Sequence, residues 1–224
     1  MPVIYSQRHE FTLTESKCIL IVMATLLLTS TGISSDIVRE SFLQEVDTRR
    51  DQHIAIITNA AQDGKENKYA RLAEQQFRDL GFSSISFVDV ETEQIHILDE
   101  ADIIYVMGGN TFTLLKKIRE SGADKILSKR LSETSDLIYI GVSAGSILLT
   151  PTVRLANEVE PDPNDEGIDD FSGLSFFPDE IYPHYAEDVE SEIRKYEIRH
   201  SVSVLRITND EAILVKNGNV TKVS

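Results

Sequence analysis

The chain has 224 residues, 41% of them hydrophobic, which is enough for one α/β domain with its own core. Its net charge of -15 argues against nucleic acids and membranes as partners, because nucleic acids and most membrane surfaces are themselves negatively charged. A single cysteine, Cys18, excludes an intrachain disulfide and a cysteine-based metal cluster, and is compatible with a cytoplasmic location.

The first 22 residues admit more than one interpretation. The apolar run 18–28 is similar to the hydrophobic part of a signal peptide, but it is too short to span a bilayer, and cleavage there would remove the first predicted strand. Residues 1–22 either belong to the fold or form an N-terminal extension outside it, in which case Met23 is the true start. Residues 23–224 are predicted to form a single domain.

Short apolar segments alternate with helical patterns from residue 26 to residue 140. The predicted strands are 26–29, 53–58, 85–90, 103–107 and 137–140. The predicted helices are one that is capped by Ser34 or Ser35 and ends near Val46, and then 65–80, 111–120 and 123–131. Because each strand is almost entirely apolar, we expect an α/β fold with a doubly wound, mostly parallel sheet that helices cover on both faces.

The pattern is weaker after residue 150. The acidic stretch 158–175 contains two prolines and two glycines and is predicted to be a long loop. Residues 188–199 are predicted to form a helix. The sequence Asn-Gly-Asn at 217–219 lies between two apolar segments, 212–216 and 220–223, which predicts a β-hairpin.

Residues 141–145 read Gly-Val-Ser-Ala-Gly and lie between a predicted strand and an apolar helical turn. A serine in the pattern Gly-x-Ser-x-Gly at such a junction is typical of the nucleophile elbow, in which the hydroxyl is exposed at the carboxyl end of the sheet. This makes Ser143 a candidate nucleophile. Alternatively, Gly141 and Gly145 only permit a tight turn between strand and helix.

A serine nucleophile needs a general base and donors for an oxyanion. Of the five histidines, His184 is the best candidate base, because it follows Pro183 in an apolar segment downstream of the serine; the alternative is a structural histidine. The amide of Ala144 is one candidate donor, and residues 108–110 (Gly-Gly-Asn) are the best source of the other. A simple turn before a helix that Asn110 or Thr111 caps is an equally compatible role for these glycines.

Four motifs follow one another along the chain: Gly-Gly-Asn-Thr-Phe-x-Leu-Leu at 108–115, Gly-x-Ser-Ala-Gly at 141–145, Pro-Thr-x-Arg at 151–154 and Pro-His-Tyr at 183–185. In this order they resemble the peptidase E (aspartyl dipeptidase, dipeptidase E) branch of the serine peptidases, to whose family cyanophycinase belongs. The resemblance covers roughly residues 25–218. It implies a class I glutamine amidotransferase-like (flavodoxin-like) fold with a nucleophile elbow, a Ser-His-acid triad, a short peptide as substrate, and neither metal nor cofactor.

Position by position, the resemblance matches Ser143 to the nucleophile and His184 to the general base. It matches Gly109 and Ala144 to the oxyanion donors. The family has an aspartate after an asparagine shortly beyond the Pro-Thr-x-Arg motif, whereas here Asn157 precedes a glutamate, Glu158. We expect Glu158 to be the acid of the triad, with Asp162 or the pair at 169–170 as alternatives.

The resemblance also implies a preference for dipeptides with an N-terminal aspartate. Binding of that carboxylate calls for an arginine, and the candidates are Arg154, Arg194 and Arg199. Asn110, within a matched motif, is a further candidate for substrate binding.

The predicted function is a cytoplasmic serine exopeptidase, either monomeric or homodimeric, that works through an acyl-enzyme. One alternative is a catalytically inactive or ligand-binding protein that keeps the fold. Another is an amidotransferase-like hydrolase, which is disfavoured because that chemistry needs a cysteine where this chain has Ser143.

Overall fold

The computed structural model of the protein describes residues 22–61, 63–159 and 161–224. The two interpretations of residues 1–22 therefore concern a segment that, except for Val22, lies outside the described residues. Cys18 lies outside them as well. Val22 is partly buried and packs against the core.

The strands fall at the predicted positions within two residues at each end, with two further strands near the C-terminus. They are β1 (Thr25–Thr29), β2 (Ile54–Ile57), β3 (Ile85–Val88), β4 (Ile103–Val106), β5 (Ile138–Val142), β6 (Glu180–Tyr182), β7 (Val204–Arg206), β8 (Ala212–Lys216) and β9 (Asn219–Val223).

Five helices are eleven or twelve residues long, and three are a single turn. They are α1 (Asp36–Val46), α2 (Lys68–Asp79), α3 (Ile97–Glu100), α4 (Thr111–Ser121), α5 (Ala123–Glu133), α6 (Ala144–Ile147), α7 (Leu155–Glu158) and α8 (Glu190–His200). Short 3-10 helices lie at Gly64–Glu66, Glu93–His96 and Glu187–Val189. In the part of the chain that the structure describes, every helix is too short or too polar to cross a membrane.

Seven strands form one sheet in the order β3-β2-β4-β5-β1-β8-β9. The first five are parallel, and β8 and β9 add an antiparallel hairpin at one edge. The register pairs Thr29 with Val142 and Val106 with Gly141, so that β1, β4 and β5 end together. The loops that follow these three strands therefore meet at one edge of the sheet, which is where ligands bind in open α/β folds.

Both faces of the sheet are covered, as the apolar strands predicted. On one face, α1 and α2 place Val38, Phe42 and Phe77 against strand residues such as Ile56 and Ile140. All five side chains are fully buried. Because side chains alternate along a strand, the neighbouring strand residues point to the opposite face.

The opposite face carries α4, α5 and α6. Phe112 and Leu115 of α4 and Leu127 of α5 pack there against strand residues that include Ile57 and Val106. The doubly wound α/β architecture predicted from the alternation of strands and helices is confirmed.

Local signals explain most helix ends. Ser35 caps α1 by accepting a hydrogen bond from the amide of Val38, so the serine that caps is the second of the two candidates. The predicted helix at 65–80 is instead a 3-10 turn followed by α2, because Asn67 takes an extended conformation and caps α2. The hairpin prediction is confirmed, since Asn217 and Gly218 both have the positive φ that its turn requires.

The region after residue 150 contains structure that the sequence pattern did not predict. β6 and β7 form a separate two-stranded parallel sheet. α7, α8 and these strands enclose a small third core that includes Leu155, Tyr182, Ile193 and Tyr196. Beyond this small sheet, the amide of Tyr185 donates to the carbonyl of Ile207, which joins the loop after β6 to the loop after β7.

Candidate active site

Ser143 occupies the sharp turn between β5 and α6. Its backbone has φ 49° and ψ -109°, a conformation that residues other than glycine rarely adopt. Its amide donates to the carbonyl of Thr29 at the end of β1, over 2.9 Å. A strained non-glycine residue that its surroundings hold in place is a common feature of functional sites.

The glycines on either side of Ser143 are required by the space around them. A β-carbon at Gly141 would lie 2.7 Å from the carbonyl oxygen of Gly145. A β-carbon at Gly145 would lie 2.2 Å from the carbonyl oxygen of Val106 in β4. The turn therefore requires glycine at both positions, because three backbone segments approach one another closely there.

A buried hydroxyl fixes the turn to the sheet. Ser146 Oγ donates to the carbonyl of Thr29 over 2.8 Å and accepts from the amide of the same residue over 2.9 Å. Tyr139 Oη donates to the carbonyl of Gly145 over 2.7 Å. These bonds hold α6 against β1 and β5, so the position of Ser143 is set by the sheet.

The glycine pair after β4 lies directly beside Ser143. A β-carbon at Gly108 would be 3.0 Å from the β-carbon of Ser143. Gly109 has φ 146°, and a β-carbon there would be 2.1 Å from the carbonyl oxygen of Ala60. Within the described residues, neither the amide of Gly109 nor that of Ala144 has an acceptor. Two free N–H groups next to a serine side chain are what an oxyanion hole needs.

The side chain of Asn110 makes two hydrogen bonds within the fold. Its Oδ1 accepts from the amide of Thr113 over 2.9 Å, which caps α4, and its Nδ2 donates to the carbonyl of Pro163 over 2.8 Å. Asn110 is not among the residues that line the two cavities beside Ser143, and a substrate contact through it stays a prediction.

His184 follows β6 and is exposed. Its backbone also has positive φ, 57°, and its amide donates to the buried Oγ of Ser30, just beyond β1, over 2.9 Å. Its Nδ1 lies 2.7 Å from Oδ1 of Asn209, in the loop after β7. An amide oxygen can only accept a hydrogen bond, so this contact places the imidazole proton on Nδ1 and leaves Nε2 free to accept one.

Ser143, His184 and Gly109 line two adjoining cavities, one of about 710 Å³ and one of about 120 Å³. The side chains of Ser143 and His184 are not hydrogen-bonded to each other in the described part of the chain. Such contacts are often long in an enzyme without substrate and shorten when it binds. A molecule bound in these cavities would contact both the candidate nucleophile and the candidate base.

The structure corrects the expectation for Glu158. This residue ends α7, and its Oε2 accepts from Arg199 over 2.7 Å and lies 2.9 Å from Nε2 of His200, both on α8. Burial acts to raise the pKa of the Glu158 carboxyl, but the bonds from His200 and Arg199 outweigh it and hold the pKa below its ordinary value. Glu158 therefore joins α7 to α8, and Asn209 takes the place beside His184.

Two of the alternative acids, Asp162 and Asp170, are hydrogen-bonded elsewhere. Asp162 lines the smaller cavity, but its Oδ2 accepts from the amide of Thr111 at the start of α4, over 2.9 Å. Asp170 accepts from the amide and the hydroxyl of Ser172. Asn209 was missed because an asparagine between a threonine and an aspartate, after a short strand, has the composition of an ordinary turn.

The predicted arginines do not line either cavity. The guanidinium of Arg154 is 5.9 Å from the ring centre of Phe171. Arg194 is exposed on α8 and pairs with Glu190 over 2.7 Å. Among the described residues, no group of three or more His, Cys, Asp or Glu side chains could hold a metal ion.

Comparison with known proteins gives a consistent result. A model of peptidase family S51 matches residues 26–223. An uncharacterized peptidase of Listeria innocua is 30% identical over 159 residues, which cover 68% of this chain and 75% of that protein. Peptidase E of Salmonella typhimurium is 36% identical over 132 residues, or 54% of this chain and 55% of that protein. The chain thus matches about half the length of the Salmonella relative.

Two solved structures share the fold. A Listeria monocytogenes EGD-e protein assigned to peptidase E superimposes with a TM-score of 0.74 at 23% identity, over 89% of this chain and 97% of that one. A peptidase from an acI-B1 Actinobacterium gives 0.55 at 16% identity, over 88% and 84%. At these identities the two structures bear on the fold alone.

Proposed function

The chain belongs to peptidase family S51, and on that premise we propose that it is a serine exopeptidase that hydrolyses short peptides, with Ser143 as nucleophile and His184 as general base. The observation that carries the proposal is that both side chains line the same two cavities, next to the unpaired amides of Gly109 and Ala144. The strained backbone of Ser143 at the turn between β5 and α6 supports it, because a nucleophile elbow holds its serine on a sharp, strained turn between strand and helix.

In the proposed reaction, Nε2 of His184 takes the hydroxyl proton of Ser143 as Oγ attacks the scissile carbonyl. The amides of Gly109 and Ala144 hold the oxyanion of the tetrahedral intermediate. His184 then gives the proton to the leaving amine, and the peptide bond breaks to leave an ester on Ser143. Water, deprotonated by His184, hydrolyses this ester and restores the hydroxyl.

Asn209 takes the orienting role in this proposal. By accepting the Nδ1 proton of His184, it keeps the ring in the tautomer that can accept a proton at Nε2. A neutral amide orients the ring without adding a negative charge beside it, so the imidazolium formed during the reaction is stabilised less than by a carboxylate. A histidine oriented by asparagine is known from papain-like peptidases, where it activates a cysteine.

The test compares Ser143→Ala with Ser191→Ala, a change at an exposed serine of α8. A fluorophosphonate probe is expected to label the wild-type protein and Ser191→Ala but not Ser143→Ala. Hydrolysis of a panel of dipeptides is expected to fall at least about 1,000-fold in Ser143→Ala, the scale on which triad members act. Labelling that persists in Ser143→Ala would contradict the proposal.

The amide partner of His184 favours a second candidate, a protein that binds peptides in this cavity without cleaving them. Such a protein would bind dipeptides in calorimetry, would resist the fluorophosphonate, and would return the peptides intact. Labelling and hydrolysis by the wild-type protein, compared with Ser143→Ala, therefore separate a peptidase from a peptide-binding protein.

A further inference from the structure

The larger cavity beside Ser143 is lined by mostly uncharged residues. The described residues that line it include no lysine and no arginine, and one carboxylate, that of Asp210. The remaining polar walls are mostly hydroxyls and amides, among them Ser30, Thr31 and Asn67. A carboxylate on a bound side chain would find no lysine or arginine partner among these residues.

Two of the arginines that were expected to bind an aspartyl carboxylate have other roles in the structure. Arg154 lies at a separate cavity and over Phe171, and Arg199 pairs with Glu158 over 2.7 Å. Neither borders the two cavities that Ser143 lines. Among the described residues, the site therefore lacks the group that recognition of an N-terminal aspartate side chain needs.

Two large apolar side chains of α2 are exposed at this cavity. Tyr69 and Leu72 are 60% and 49% exposed, and both line the cavity together with Ala61 and Ala73. A bound apolar side chain would cover them and remove both surfaces from water. This wall of the cavity offers no cation to an acidic side chain of the substrate, but it offers apolar surface to an apolar side chain.

Asp210 supplies the carboxylate of this cavity. Its carbonyl accepts from Ser35 Oγ over 3.2 Å, which ties the loop after β7 to the start of α1. Its carboxylate has no hydrogen bond or ion pair with the described residues, and the residue is exposed. The acid of the smaller cavity, Asp162, is already bonded to the amide of Thr111. Among the described residues that line the larger cavity, Asp210 is therefore the acid whose carboxylate is available to pair with an ammonium group.

We propose that the protein cleaves peptides whose N-terminal residue has an uncharged, apolar side chain, and that Asp210 binds the α-ammonium group of that residue. The proposal rests on the function proposed above and gives it a substrate class. It replaces the preference for N-terminal aspartate, because an aspartyl side chain in this cavity would face Asp210, and the described residues that line the cavity include no lysine or arginine to balance the two charges.

The test measures kcat/KM for Leu-Leu, Asp-Leu and N-acetyl-Leu-Leu. We expect Leu-Leu to exceed Asp-Leu at least about tenfold. Asp210→Asn is expected to raise KM for Leu-Leu about tenfold and to leave N-acetyl-Leu-Leu unchanged, because the acetylated peptide has no ammonium group. Asp51→Asn, at an exposed carboxylate before β2, is the matched control.

A gain-of-function variant gives a second measurement. Leu72→Arg places a cation on the apolar wall and is expected to shift the Asp-Leu to Leu-Leu ratio at least about tenfold toward Asp-Leu. Faster cleavage of Asp-Leu than Leu-Leu by the wild-type protein would overturn the inference, as would equal effects of Asp210→Asn on free and acetylated peptides.

Labelling of Ser143 separates the failure of the substrate class from the failure of the proposed function. If the fluorophosphonate labels Ser143 and Asp-Leu is the better substrate, the substrate class is wrong and the proposed function stands. If Ser143 is not labelled and no dipeptide is cleaved, the proposed function falls and the substrate class falls with it.

Discussion

Ser143 lies in a turn shaped by adjacent glycines and by strand backbone, whereas His184 depends on side chains 154 and 25 positions away, Ser30 and Asn209. On the serine side, the close contacts are between backbone atoms of β4, β5 and α6. On the histidine side, the hydroxyl of Ser30 holds the backbone amide of His184, and the side-chain amide of Asn209 determines the tautomer of the ring. We therefore expect the turn at Ser143 to be most sensitive to substitutions that add atoms. The position of His184 should be most sensitive to substitutions that remove a hydrogen-bonding group.

The largest expected effect comes from an added atom on the serine side. In Gly145→Ala the new β-carbon would lie 2.2 Å from the carbonyl oxygen of Val106, which is part of a central strand and cannot move aside. We expect the free energy of unfolding to fall by about 4 kcal/mol or more, measured by urea denaturation.

Gly122→Ala is the control for Gly145→Ala. Gly122 has φ 79° and open space where a β-carbon would lie, so alanine there suffers only the left-handed backbone, at about 1–2 kcal/mol. Equal losses in the two variants would show that the crowding around Gly145 does not govern the turn.

The next largest effect is expected from removing the hydrogen-bond acceptor of the His184 ring. Asn209→Ala takes away the acceptor for Nδ1 of His184, so the ring rotates and populates the wrong tautomer. We expect kcat to fall about 100-fold, or ~2.7 kcal/mol of transition-state stabilisation, with the urea midpoint unchanged because Asn209 is exposed.

Asn209→Asp tests the same contact with a charged acceptor. A carboxylate can accept the same proton and can also stabilise the imidazolium, so kcat is expected to stay within about tenfold of wild type or to rise. Wild-type kcat in Asn209→Ala would remove Asn209 from the mechanism.

Two buried serines allow a matched measurement on the two sides. Ser30 and Ser146 are 1% and 0% exposed, and each accepts one backbone amide and donates to one backbone carbonyl. Replacing Ser146 by alanine leaves the buried amide of Thr29 without its acceptor, and replacing Ser30 does the same to the part-buried amide of His184. Both variants are expected to lose about 2 kcal/mol of stability in urea.

Activity distinguishes the two serine variants. Ser30→Ala releases the amide of His184 and is expected to lower kcat about tenfold, because the strained backbone there loses the bond that holds it. Ser146→Ala acts on α6, whose place is also fixed by Tyr139 and by the glycine contacts, and is expected to change kcat less. Equal losses of kcat would contradict the difference between the serine side and the histidine side.

The same contrast explains what the sequence could predict. Strands such as β2 and β4 and the turn at Ser143 were predictable, because apolar runs and glycine spacing are local signals. β6 and β7 are three residues each, and their pairing depends on a register that no local pattern encodes. The partner of His184 was not predictable for the same reason, since it depends on where β7 ends relative to β6.

Glu158 shows how a position can match a motif and still lie elsewhere. It follows Asn157 as an acid should by the resemblance, yet α7 turns it toward α8, where His200 is only 19% exposed in its side chain and offers a ready partner. Charge and spacing in the sequence do not reveal which partner Glu158 takes, because this depends on how α7 and α8 pack around Leu155 and Tyr196.

The smallest expected effect tests this reassignment. Glu158→Gln removes the charge that pairs with Arg199 and His200 but keeps the size of the side chain. Because Arg199 is 64% exposed, water screens much of the attraction, and we expect a loss of about 1 kcal/mol at pH 7 by urea denaturation. The fall in kcat is expected to be smaller than in Asn209→Ala.

The effect of Glu158→Gln on stability should depend on pH. The pKa of the Glu158 carboxyl is lower in the folded protein than its ordinary value of 4.5, so its charge stabilises the fold above that pH. The difference between wild type and Glu158→Gln should therefore be full near pH 7 and vanish as the pH falls through the folded pKa. Glu187→Gln, at an exposed glutamate, is the control and is expected to lose less stability than Glu158→Gln at pH 7. A Glu158→Gln variant with wild-type stability and a kcat as low as that of Asn209→Ala would return the acid of the triad to Glu158.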